Sequence, residues 1–289
     1  MSNKDLLENI KKLRELTGVG FKDCKLAIEE NSGDLEKSIE YLRKKGIAKA
    51  SKKMSRTASE GLALVHEKNG EVSVIEINSE TDFVAKNSEF IKFVEDVSKL
   101  ALINFGKLEN ILNSDMENKK KVKDNLFSLI SKIGEKITIR RSDFISSENF
   151  INFSYIHSAL KKNVGKIGVL LSIETSKKKE EIEELGKHLS MHIAASSPLA
   201  IDKSGLDNNL LKKEKEIITE ELKNSGKDSK IIDKIAMGKL NKFITDNTLL
   251  NQESIMDPKK KVKDILKEVD KDANIEIKRF VRFKVGEGV

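Results

Sequence analysis

Two apolar, β-branched runs, GLALVHE and EVSVIEIN, flank Asn69-Gly70. Asn-Gly adopts the positive φ angles of a tight two-residue turn at little cost, so this stretch specifies an antiparallel hairpin. A hairpin alone is marginal in water, and the chain must therefore supply partners for it. Three further strand-like runs do so: EKITIRRSDFI, NFINFSYIH and KIGVLLSIE. The alternating IEIKRFVRFKV near the C-terminus must also pair with an earlier sheet, because a lone strand is not stable.

Helical spacing surrounds these strands. Leu6, Ile10, Leu13 and Leu16 predict a first helix stopped by Gly18 and Gly20. A second buries Cys24, Ala27 and Ile28 and breaks at Asn31-Ser32-Gly33, after which Asp34 caps a third carrying Leu35, Ile39 and Leu42 and ending at Gly46. The basic KKGIAKASKKMSRTASEG then reads as a linker or a weakly packed helix. Beyond the hairpin and the loop SETDFVAKNS, Phe90, Phe93, Val94, Val97 and Leu100 mark an amphipathic helix, and another spans Val122 to Ile133, ended by Gly134. A helix from about 179 to 195 closes at Pro198. Hairpin, loop and helix thus occur at 61–104 and again at about 150–196, which predicts two similar halves.

Between 206 and 243, two helical segments flank Asn224-Ser225-Gly226-Lys227 and predict an antiparallel helical hairpin, and Asp257-Pro258 opens a last short helix. The predicted fold class is α+β: a three-helix unit over 1–46, a basic linker over 47–60, and a core of antiparallel sheets over 61–145 and 146–205. The helical hairpin is inserted over 206–257, and 258–289 completes the core. Composition agrees: 38% apolar residues suffice for a sizeable core, and 35% charged residues with two prolines and no tryptophan favour helix over strand.

The lone Cys24 precludes an internal disulfide, MSNKDLLENIKK has no apolar stretch for a signal peptide, and no apolar run approaches a membrane span. A cytoplasmic protein is expected. The formal charge is +7, and residues 1–56 hold fourteen Lys and Arg against nine Asp and Glu, which favours an acidic partner or a well-solvated surface.

Enzymatic signatures are missing. There is no G-x-x-x-x-G-K-[ST] loop, no G-x-G-x-x-G after a strand and no G-x-S-x-G elbow. His188 and His192 lie four apart, but the Glu of a zinc protease motif is absent and neither a nearby Cys nor a downstream His completes a metal site, so surface or interface histidines are expected. Cys24 has no His within residues 1–65 and reads as a buried small hydrophobe. In KKKEEIEELGKHL the acids alternate with lysines as on a solvated helix face. Ser79 to Lys86 is the anomaly, because Phe83 and Val84 interrupt a polar loop. Two readings fit: Phe83 folds into the core while Asp82 caps the next helix, or Phe83 is an exposed anchor on a rigid hairpin.

The stretches LRELTGVGFKDCKLAIEENSGDLEKSIEYLRKKGIAKASKK and INSETDFVAKNSEF resemble the two signature regions of the elongation factor Ts family, and GVLLSIE, MHIAASSP, KFITDNTLLNQ and RFKVGEG follow in that family's order. The resemblance covers essentially the whole chain. It implies a ubiquitin-associated-type N-terminal domain, N and C core subdomains and a helical dimerisation module, hence a homodimer through the hairpin. It implies a guanine-nucleotide exchange factor for elongation factor Tu, in its GDP and nucleotide-free forms, with no covalent chemistry, no cofactor of its own and no metal, membrane or specific nucleic acid. Thr81, Asp82, Phe83 and Val84 would enter the partner's GTPase domain, with Phe83 wedged between helices and Asp82 disturbing the magnesium network. Arg14, Phe21 and Lys22 would grip a helix of that domain, with bundle packing as the other reading of Phe21, and Met191 and His192 would lie where the C subdomain meets the partner. The rival is a basic RNA-binding or ribosome-associated protein, prompted by the net charge and RKKGIAKASKK. Against it, Tyr41 and Tyr155 are the only tyrosines and no aromatics interleave with the basic runs.

Overall fold

A computed structural model describes residues 3–17, 19–53, 55–224, 229–269 and 275–289. In chain order it forms helices α1 (Asn3–Thr17), α2 (Phe21–Glu30) and α3 (Leu35–Lys53), then strands β1 (Glu60–Lys68) and β2 (Glu71–Ser79). Helices α4 (Asp82–Ala85), α5 (Ser88–Ile103), α6 (Leu108–Asn113) and α7 (Val122–Ile133) lead to β3 (Ile137–Ile145), β4 (Ile151–His157), β5 (Val164–Gly165) and β6 (Ile167–Glu174). Then come α8 (Glu183–Ser196), α9 (Asn208–Asn224), α10 (Ser229–Asn247), α11 (Val262–Val269) and β7 (Glu276–Lys284). The α+β class and antiparallel sheets are as expected.

Ile10, Leu13, Cys24, Ala27, Ile28 and Leu42 form the core of the N-terminal bundle. Asp34 caps α3 by accepting from the Lys37 amide at 3.0 Å, and Ser32 and Gly33 at positive φ end α2. Gly18 lies outside the described residues. The first helix forms as expected with Leu16 outside the bundle core, and one expectation fails, at Gly46. Leu16 is 63% exposed; with Ile39 and Phe127 it lines an open groove between the bundle and α7. Gly46 does not stop α3, which runs on to Lys53. Its hydrogen instead permits a close helix crossing, since a Cβ there would come within 2.6 Å of Ser131 Oγ on α7. Arg43 pairs with Asp124 at 3.3 Å and the Lys53 ammonium donates to the Gly134 carbonyl, so the helix that leads out of the bundle is docked on the core.

Among the described residues the core has two sheets, ordered β3-β2-β1-β5 and β4-β6-β7, in which every pairing of neighbouring strands is antiparallel. Asn69 and Gly70, at φ 54° and 80°, make the expected hairpin turn between β1 and β2. Strand alternation sends Leu62, Leu64, Ile75 and Ile77 outward against α5 and α7, and sends Val65, Val72 and Val74 inward. The second sheet mirrors this. Val169, Leu171 and Ile173 pack on α8 and α11, while Leu170, Val281 and Phe283 meet the inward face of the first sheet. The order of layers is helix, sheet, sheet, helix. At the rim of the inner layer the fully buried Glu76 carboxylate accepts from Arg140 (3.0 Å), Arg141 (2.5 Å), Asn78 (3.0 Å) and the Gly286 amide (2.9 Å). Burial pushes its pKa up, but the Gly286 amide, Asn78 and Arg141 outweigh that and hold it below the usual carboxylate value.

The halves correspond more closely than the recurring hairpins suggest. Each runs two strands, a long helix, a bridge, a shorter helix and a closing strand: β1, β2, α5, α7 and β3, then β4, β6, α8, α11 and β7. The bridges are Asp115 with Lys121 and Glu253 with Lys261, and each leads into the hexapeptide Lys-Lys-Lys-Val-Lys-Asp, at 119–124 and 259–264. The valines Val122 and Val262 are 0% and 1% exposed, one in each outer core. For that reason α11 begins at Val262 and not at Asp257-Pro258: the intervening residues fold back so that the Ser254 amide meets Lys260 O at 2.9 Å. Helices α9 and α10, which pack through Ile218, Leu222, Ile232 and Ala236, are an excursion within the second half. The turn expected at 225–227 lies outside the described residues, as does the Ile231 side chain. The excursion leaves and returns through paired backbone, with the Leu199 amide on Asn247 O (2.9 Å) and the Leu249 amide on Ala200 O (2.9 Å).

His192, expected on a helix surface or at an interface, is 2% exposed. Its Nδ1 accepts from the Ile255 amide (3.3 Å), which leaves the proton on Nε2 to donate to Gln252 Oε1 at 2.9 Å. The neutral ring thereby fastens α8 to the segment returning from the hairpin. Burial lowers its pKa, with the Gln252 bond acting the other way. An imidazolium could not accept from Ile255. Since the native pKa lies below the unfolded value, the unfolded chain takes up the proton first as pH falls. The contribution of neutral His192 is then full above about pH 6.5 and is lost below it. Unfolding free energies measured between pH 7.5 and 5.5 are expected to fall more steeply for the wild type than for His192→Gln, by at most about 1.4 kcal/mol per pH unit. His66, whose pKa is also lowered by burial, contributes equally to both proteins, so identical slopes would refute this role for His192.

Candidate functional site

The chain leaves β2 at Ser79, and Thr81, in extended conformation at φ −123°, opens the single turn α4. Successive helical residues point about 100° apart, so a four-residue turn cannot bury all its side chains on one side. Val84 and Ala85 enter the outer core of the first half, at 6% and 2% exposure. That choice turns Phe83 away, and it stands 80% exposed. The exposed alternative of the two sequence readings is the one this conformation takes. The capping half of the other reading also differs, because α5 is capped by Asn87, whose Oδ1 accepts from the Glu89 (2.9 Å) and Phe90 (3.3 Å) amides. Asp82 instead pairs with Lys86 across the turn at 2.7 Å, and that hydrogen bond holds its carboxyl below the usual value.

The base of the turn is fixed by a reciprocal exchange with the segment entering β3. The Glu135 carboxylate accepts from the Thr81 amide (3.0 Å) and hydroxyl (2.8 Å). In return the Glu80 carboxylate accepts from the Lys136 amide at 2.5 Å and, through its two oxygens, from Arg56 Nη1 at 3.3 and 3.2 Å. Burial raises the pKa of Glu80, but the Lys136 amide and Arg56 prevail and keep it lowered. Phe83 therefore projects from backbone fastened on two sides. Glu80, Glu135 and Arg56 escaped the sequence reading because acids and arginines near a turn carry no periodic signal.

The other anticipated residues occupy different units. Arg14 in the last turn of α1 and Phe21 and Lys22 at the start of α2 flank one corner of the bundle, all three exposed, with Phe21 at 45%. Met191 and His192 are on α8 in the second half; Met191 is half-buried, and His192 is interior as described above. Among the described residues no group of three or more His, Cys, Asp or Glu is placed to hold a metal ion, and no helix is long and apolar enough to cross a membrane. Cys24 is buried, its thiol donating to Val19 O at 3.4 Å.

Comparison with known proteins adds an independent line. The family model described as "Elongation factor TS" matches residues 80–287. The chain is 39% identical over 283 residues to elongation factor Ts of Rickettsia felis, covering 97% of this chain and 91% of the relative. It is 42% identical to that of Bartonella tribocorum over 283 residues, covering 97% and 92%. To that of Maricaulis maris it is 38% identical over 285 residues, covering 97% and 91%. With a family model spanning well over half the chain and such identity along nearly all of it, the chain belongs to the elongation factor Ts family of translation elongation factors.

Proposed function

We propose that this chain is a guanine-nucleotide exchange factor that binds elongation factor Tu·GDP and promotes GDP release, by conformational coupling and without covalent chemistry or a cofactor of its own. The observation that carries this reading is Phe83, 80% exposed on a turn anchored by Val84, Ala85 and Glu135. A large apolar side chain held in water by its own backbone is an interface anchor whose ordering cost is met before binding. Inserted into the partner's GTPase domain, Phe83 would separate packed helices, and the adjacent Asp82 would compete for the groups that hold magnesium. Loss of the metal leaves phosphate charge uncompensated, and GDP departs.

Magnitudes require more than one contact. Linkage makes the weakening of GDP by the factor equal to the weakening of the factor by GDP, and a ten-thousand-fold effect needs about 5.5 kcal/mol. Burying one Phe supplies about 1.5 to 3 kcal/mol. The exposed corner of Arg14, Phe21 and Lys22 and the surface at Met191 are the proposed sources of the remainder. His192 would act from inside, by holding the segment beside Met191. The helical hairpin leaves Ile217 and Met237 at 61% and 65% exposure, which supports the proposal that it mediates a homodimer.

Release of a fluorescent GDP analogue from elongation factor Tu tests the function directly, and unchanged release at saturating protein rejects it. Phe83→Ala is expected to slow stimulated release about thirtyfold, the equivalent of an anchor worth about 2 kcal/mol. Because the side chain is solvent-exposed, its melting temperature should stay near the wild-type value. A large fall in melting temperature, with release restored on cooling, would identify a packing role instead.

Replacing residues 206–244 with a short Gly-Ser connection is expected to leave a folded core, because the excursion closes on paired backbone at Ala200 and Thr248. Light scattering should show reduced self-association, with part of the exchange activity retained. A folded deletion variant wholly unable to release GDP would contradict the assignment of exchange to the Phe83 turn.

A further inference from the structure

We infer that Glu135 is a positioning residue for exchange: it holds the Phe83 turn in its projecting geometry through Thr81. The inference rests on the exchange reading above and assigns a role to a residue outside the Thr81–Val84 segment. A helix of four residues has no cooperative stability, so the direction of Phe83 must be imposed from outside the turn. Val84 and Ala85 fix one side by burial. The other side depends on Thr81, which occupies the N-cap position yet gives no side-chain hydrogen bond to its own helix. Its hydroxyl and its amide are both committed to the Glu135 carboxylate, at 2.8 and 3.0 Å.

The same link ties the turn to the framework. Ser79 and Ile137 are register partners of β2 and β3, so Glu135 acts from a segment fixed by the sheet itself. The Glu80 contacts with Lys136 and Arg56 make the connection reciprocal, and the Lys136 ammonium donates to Arg56 O at 2.7 Å. Through Arg56, and through Lys53 on the Gly134 carbonyl, the end of the bundle's third helix meets this clamp. Without the Glu135 carboxylate, the Thr81 amide and hydroxyl turn to water, and the base of the turn keeps only the Glu80 contacts one residue earlier and the Ser79 hydroxyl on Thr81 O at 2.9 Å. Phe83 then samples several directions, and the cost of choosing one falls on the step in which the partner's helices are parted.

The experiment uses the full chain and its Glu135→Ala, Glu135→Gln, Phe83→Ala and Glu135→Ala/Phe83→Ala variants. Fluorescent-GDP release is measured across factor concentration, alongside hydrogen exchange at the Thr81 amide. Glu135→Ala is expected to lower the maximal stimulated rate about tenfold, the equivalent of one charge-assisted hydrogen bond. Glu135→Gln keeps one acceptor oxygen and should fall between Ala and wild type, and it serves as the folded variant if Ala does not fold. Thr81 protection should fall in both. In the Phe83→Ala background, Glu135→Ala should cost nothing further, because there is no anchor left to position. Wild-type release by both variants, or losses that multiply in the double variant, overturns the inference. If the wild-type protein itself does not accelerate release, the exchange reading fails; an unprotected Thr81 amide in the wild type would separately refute the clamp.

Discussion

The layer between the two sheets is the constraint on which the rest of the core depends. Each sheet is apolar on both faces, and neither outer helical layer can cover Val65, Val72, Val74 and Ile145 or the opposing Leu170, Val281 and Phe283. Exposed, either face would be a large apolar patch; apposed, they complete both halves at once. The rim of this layer is polar. Glu76 is drawn into it with enough donors to remain ionised, and Arg279 bridges β7 to Asp143 of β3 through contacts of 2.8 and 2.7 Å. Such groups add little net free energy when paired, but they penalise any sliding of one sheet over the other, because a shift would strand a buried carboxylate.

With that layer fixed, the duplicated plan places the surfaces proposed to meet a partner. The first half spends its excursion on a compact α6 and carries the Phe83 turn at the exit of β2. The second spends its excursion on α9 and α10, and the identical Lys-Lys-Lys-Val-Lys-Asp segments mark where the two plans rejoin. The buried valine in each copy explains the register: one apolar residue among lysines begins a helix whose inner face must reach a core.

Strands, amphipathic helices and the Asn-Gly turn were legible in the sequence, because period and turn chemistry are local properties. The repeated hexapeptide was equally visible, and it was the signal that could have matched the halves element by element. What was not legible depends on neighbours distant in sequence. Gly46 has the composition of a helix stop but serves a crossing with Ser131, and Leu16 continues a helical stripe but lines the groove between the bundle and α7. His192 sits in a stretch of mixed polarity, and only Gln252 and Ile255, some sixty residues later, make it an interior group.

The candidate site shows the same division at finer scale. That a Phe in a polar turn is unusual is a fact of sequence. Whether it points in or out is decided by which residues of a four-residue helix the core accepts. Ala85 and Val84 fit beneath the first sheet, and the angular separation of helical residues then commits Phe83 to solvent. An exposed Phe forgoes its burial energy in the free protein, and that energy becomes available only where a partner encloses it. A mobile Phe would spend much of the gain on being ordered. In the proposed exchange role, a Phe83 held by Thr81 and Glu135 in advance would deliver more of the gain to displacing the partner's own contacts, so that the clamp at the base of the turn and the anchor at its tip would act as one device.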